Sequence, residues 1–158
     1  MLDHFHLESD PERNNHKNPV NPVNNIKQKE DMPDYTNIND LTETVIKAAT
    51  DVHQIIGPGM TKALYQECLS HELGLRDIPF ETQKKLTIDY KGAQLDSGFR
   101  LDFVVAERLI IELRLENGLQ PADEARMMTY LYLTGTEAGL LINFNVPILK
   151  DGIKEVKN

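Results

Sequence analysis

Apolar residues at Leu41, Val45, Ala48, Ala49, Val52 and Ile56 fall at helical spacing and make one stripe. Asn39 or Asp40 can cap such a helix, and Asp40 with Glu43 imitates a capping box. Gly57-Pro58-Gly59 stops it. A second helix is predicted from about Met60 to Arg76, with Ala63, Leu64, Cys68 and Leu73 facing inward. The period then drops from a helical one to two. Gln83 to Tyr90 alternates, and Lys91-Gly92 reads as a tight turn. Phe99–Val105 and Leu109–Leu115 are two further strands about the turn Ala106-Glu107-Arg108. Pro121 suits the first turn of a helix running through ADEARMMTYLYL, and Gly135 closes it. Ala138–Phe144 is almost continuously apolar, as expected of a central strand covered on both faces. The strand–helix–strand unit is a crossover that should be right-handed. The final LKDGIKEV reads as one short helix. These elements predict an α/β fold, with helices packed on a mixed central sheet.

Residues 1–38 carry no such period. Asn, Pro and charge dominate NNHKNPVNPVNNIKQKEDMPD, which has too little apolar surface to offset its ordering entropy. A disordered polar tail over 1–38 and a folded domain over 39–158 are expected. His4, His6 and His16 lie in the tail, at a spacing that matches no metal-ligand pattern.

Composition narrows the function. At 158 residues there is room for one domain with a real core. The amino terminus lacks an apolar signal region, and no apolar run could span a bilayer, so no membrane partner is expected. The single cysteine, Cys68, cannot form an internal disulfide and fits a reducing cytosol. A formal net charge of −8 argues against nonspecific coating of nucleic acid, which draws on phosphate neutralisation. A local basic cleft remains compatible with it.

The chemistry lies in two acids set among strand apolar residues, Asp102 and Glu112. If the hairpin turns about Glu107, residue 102 falls opposite residue 112, with β-carbons about 5 Å apart. Two ionised carboxylates at that separation repel by roughly 3 kcal/mol at an effective dielectric near 20. A cation beside them, or a proton on one, must relieve this. A divalent metal such as Mg²⁺ is one source of that charge, and Arg or Lys side chains are the other. A hairpin with one acid simply turned to solvent is the third arrangement.

An acid on one strand followed by acid-x-basic on the next, here Asp102 with Glu112-Leu113-Arg114, resembles the PD-(D/E)XK nuclease superfamily. More specifically, the chain is similar to the GxxExxY family of small bacterial proteins. The stretches VHQIIGPGMTKALYQECLSHEL, IPFETQKKL, DYKG, SGFRLDFVV, IIELR, PADEARMMTYLYLTG and GLLINFNVPILKDGIKEV carry the likeness, from about Leu41 to Val156. The resemblance implies a restriction-endonuclease-like core. It also implies a Mg²⁺ site formed by the strand acids, with a lysine aiding attack on a phosphodiester.

Four positions depart from the family pattern. Lys62 stands where the naming glutamate belongs, Arg114 where lysine is usual, Asn117 where a Glu often follows, and Arg126 where a neutral amide is common. Arg114 keeps a positive charge but cannot give up a proton near neutral pH. The resemblance therefore allows three functions. One is a nuclease-like domain whose metal site, Asp102 and Glu112, is weakened. It would bind nucleic acid or a protein partner, with Lys62, Arg114 and Arg126 forming a basic cleft. Another is an active Mg²⁺-dependent nuclease using Asp102, Glu112 and Arg114. The third is a protein-interaction module that needs neither metal nor nucleic acid.

Overall fold

A computed structural model describes residues 35–158. The expected tail lies outside the described residues up to residue 34, as do His4, His6 and His16. Three helices, α1 (Ile38–Ile56), α2 (Lys62–Leu75) and α3 (Pro121–Thr134), accompany strands β1 (Phe80–Tyr90), β2 (Ala93–Val105), β3 (Leu109–Arg114), β4 (Ala138–Asn143) and β5 (Ile153–Lys157). The strands form one mixed sheet in the order β1-β2-β3-β4-β5. Only the β3–β4 pair is parallel, and α3 is its crossover.

Each face of the sheet buries its own cluster. On one side Phe103, Ile111, Leu113, Leu140, Ile142 and Phe144 pack against α1 and α2. On the other, Val104, Ile110 and Leu141 meet Met127, Tyr130 and Leu131 of α3. Every residue of β4 is buried, which explains its unbroken apolar run. Gly139 in that strand lets α3 come close, because a β-carbon there would run into the Met127 side chain.

Two local expectations are corrected. The cap of α1 is Asn37, whose side chain accepts the Asn39 N–H at 2.9 Å, not Asn39 or Asp40. An Asn two residues before the first of these supplies the same acceptor and lengthens the helix. LKDGIKEV is not one helix either: Leu149–Gly152 is a single 3-10 turn, and β5 then pairs antiparallel with β4. Ile153 and Val156 mimic helical spacing, yet they serve opposite faces of the sheet, one in each cluster. The exposed edge of β4 demanded a strand partner, and that demand overrode local preference.

The β1–β2 hairpin is longer than its alternating pattern suggested. Its outer part runs past the end of β3, which pairs only with Phe103–Val105 of β2. A bulge interrupts the hairpin between Lys85 and Thr87. Among the described residues, no helix is long and apolar enough to cross a membrane.

Candidate functional site

The β2–β3 ladder ends at Phe103 opposite Ile111, and the register carried one step further sets Asp102 across from Glu112. There the carboxylates replace ladder bonds. Asp102 Oδ2 accepts the Leu113 N–H at 2.9 Å, and the Asp102 N–H donates to Glu112 Oε1 at 3.1 Å. Both acids are deeply buried, at 3% and 5% exposure. The arrangement with one acid turned to solvent is thereby excluded.

Positive charge reaches the pair from α2. Lys62, the first residue of that helix, places Nζ 3.0 Å from Asp102 Oδ2. Gln83 of β1 donates to Asp102 Oδ1 at 3.3 Å and to Gln66 Oε1 at 2.7 Å, tying the same acid to α2 a second time. Gln83 holds a left-handed backbone (φ 52°), an uncommon conformation for a residue with a side chain and one that clusters at functional sites. Tyr65 fixes the start of α2. Its hydroxyl donates to Gly57 O at 2.5 Å and accepts the Met60 N–H at 3.2 Å, while its ring stacks on Phe144 at 4.4 Å. The loop that delivers Lys62 is thus pinned to the core.

Glu112 has no such close cation. Burial first, then the charge of Asp102, raises its pKa from 4.5 to about 7, against the opposing pull of the Asp102 N–H, Arg114 and Lys62. Arg114 turns instead to α3, where its Nε lies 3.1 Å from Asp123 Oδ1. The contact is an ion pair by distance, but the buried Nε makes no aligned hydrogen bond. Asp123 is itself committed, since Oδ2 accepts the Gln120 N–H at 2.9 Å and caps the helix. Tyr130 stands next along α3. Burial and then the Glu112 charge push its hydroxyl pKa upward.

The three expected cleft cations therefore meet three different partners. Lys62 and Arg114 both act on the acid pocket, whereas Arg126 is exposed, its guanidinium carbon 5.7 Å from the Phe99 ring. Asn117 lies exposed in the loop after β3. Sequence reasoning overlooked Gln83 as a partner of Asp102, Asp123 as a partner of Arg114, and Tyr130 near Glu112 with Phe99 packed on it. The hairpin register could have found Gln83, and the Gln120–Asp123 helix start marks Asp123. Elsewhere, His53 reaches Val146 O through Nε2 at 2.8 Å and does not serve its own helix end. Cys68 packs against the core, and His71 is exposed.

The residues that would hold Mg²⁺ are Asp102 and Glu112 with the Leu113 carbonyl. Three of their four carboxylate oxygens already accept protein donors, and an ammonium sits against Asp102. Among the described residues, no group of three or more His, Cys, Asp or Glu side chains is placed to share a metal. A hard cation wants six or more oxygens. As arranged, the donor set does not fit one, because the lysine ammonium stands on the oxygen the ion would need.

Strand acids placed at the end of a ladder, on a mixed sheet with helices on both faces, define a nuclease-like α/β domain. The family model of the PD-(D/E)XK nuclease superfamily matches residues 39–156, and the chain belongs to that superfamily. Its fold is restriction-endonuclease-like. Comparison with curated proteins finds no match. Among solved structures the chain is similar to one described as the crystal structure of SSO0001, at 17% identity over 74% of this chain and 76% of that one, with a TM-score of 0.32.

Proposed function

We propose that the chain is a GxxExxY-type nuclease-like domain in which Lys62 supplies internally the charge that a divalent metal supplies in related enzymes. The domain retains nucleic-acid binding, and its phosphodiester cleavage is lost or much reduced. PD-(D/E)XK nucleases typically use a divalent metal. The observation that supports this reading is the 3.0 Å contact between Lys62 Nζ and Asp102 Oδ2. An ammonium there neutralises the buried acid and repels a second cation. Arg114, drawn to Asp123, is unsuited to take a proton from water.

Calorimetric titration with Mg²⁺ tests the proposal, together with cleavage assays on single- and double-stranded DNA and RNA. Weak or undetectable binding by the natural chain, and stoichiometric binding by Lys62→Glu, is the expected pair of results. Tight Mg²⁺ binding by the natural chain with cleavage that disappears in Asp102→Asn would instead establish an active nuclease. Oligonucleotide binding should weaken steeply with salt, since phosphate contacts release counterions. A flat response would identify a protein-interaction module.

A further inference from the structure

Phe99 is linked to the acid pair through Tyr130. It sits in β2 at 48% exposure, one of three exposed large side chains on the hairpin with Tyr90 and Leu95, and the one that packs against α3. The local backbone is built to hold it there. Ser97 Oγ donates to Leu86 O at 2.7 Å across the bulge and accepts the Phe99 N–H at 3.1 Å. Gly98 takes a left-handed conformation (φ 78°), with its N–H on Asp96 Oδ1 at 2.9 Å. Bulges commonly re-aim a side chain beside a functional site.

The ring has two neighbours from α3. Tyr130 packs edge-on at 5.9 Å and links Phe99 to the Glu112 pocket, and the Arg126 guanidinium stands 5.7 Å from the ring centre. Lys62 and Arg114 are each neutralised by a carboxylate. Among the described residues Arg126 has no acidic partner in hydrogen-bond reach, so its charge is available to an anion outside the chain. A half-exposed aromatic ring with an unpaired guanidinium over one face matches one nucleotide of an unpaired strand, base on the other face and phosphate on the cation. A duplex offers no free base face.

Resting on the proposed nucleic-acid binding, we infer that Phe99 and Arg126 form a stacking site for single-stranded nucleic acid, joined through Tyr130 to the Asp102–Glu112 pair. Base–aromatic stacking tolerates any sequence, so the preference should be for strandedness and not for a particular base.

Fluorescence anisotropy on the full chain tests this, using a labelled short oligothymidylate, its duplex with oligoadenylate, and an abasic strand of equal length. The natural protein should favour the single strand over the duplex and bind the abasic strand roughly tenfold more weakly. Phe99→Ala should lose a similar factor, and Phe99→Trp should restore it. Arg126→Gln should weaken all single strands and reduce the salt slope by about 0.7, the loss of one phosphate contact. The exposed positions make these variants tolerable to the fold, and circular dichroism checks that. Binding that is indifferent to Phe99→Ala, equal for the abasic strand, or stronger for duplex would overturn the stacking site while leaving nucleic-acid binding intact. No binding of any oligonucleotide by the natural chain would remove both.

Discussion

Leu113 donates its backbone N–H to Asp102 Oδ2, so an acid on one strand holds the next strand by its main chain. Asp102 therefore has a structural role. Asp102→Ala strands the Leu113 N–H and leaves Lys62 and Gln83 without their shared partner. It should cost about 2–4 kcal/mol, measured by urea denaturation. Asp102→Asn keeps an acceptor and should cost about half as much. Equal losses in the two variants would show that the side-chain acceptor contributes nothing.

Glu112 should make stability depend on pH. Its pKa is 4.5 ordinarily and about 7 in the fold, so the folded chain holds a proton that the unfolded chain releases. Stability from this group is full below about pH 4.5 and declines as pH rises toward 7, where the folded form also ionises. The decline amounts to at most about 3 kcal/mol. Glu112→Gln keeps an acceptor for the Asp102 N–H and removes the titration, so it should be more stable than the natural chain at pH 8. A mutant with an unaltered pH profile would contradict this.

Lys62 ties into the same linkage. Lys62→Met leaves buried Asp102 facing Glu112 without the ammonium, at a loss of about 1–2 kcal/mol. The loss should be larger at pH 8 than at pH 5, because at the lower pH Glu112 carries its proton and repels little. Denaturation midpoints of both proteins at the two pH values make the comparison, and an identical loss at each would count against a coupled pair.

Tyr65→Phe preserves the stack on Phe144 and deletes the bonds to Gly57 and Met60. It should cost about 1–2 kcal/mol. Hydrogen exchange at Met60, Leu64 and Tyr65, whose N–H groups are bonded at this helix start, should rise with it, since the hydroxyl anchors the loop that starts α2. Unchanged protection there would mean that the loop holds itself.

Much of the sheet was legible because its cues are local. The turn Ala106-Glu107-Arg108 fixes the β2–β3 register, and Pro121 and Gly135 bracket α3. What stayed hidden depended on how elements dock. The family resemblance alone set Lys62 beside the acids, and no spacing rule turns Arg114 toward Asp123 at a helix start. Phe99 reads only as the start of a strand until the bulge is seen. β5 failed for a related reason: its two apolar residues serve different faces, and only the empty edge of β4 makes sense of them.

The bulge between Lys85 and Thr87 has a second effect, on self-association. β1 is an outermost strand, and a long flat edge invites pairing with another molecule. Breaking that edge near its middle, with two lysines alongside, spoils the template for cross-molecular β-pairing. Straightening it by deleting two of Ser97, Gly98 and Phe99, which together face Leu86, with Lys84 and Lys85 made valine, should promote self-association.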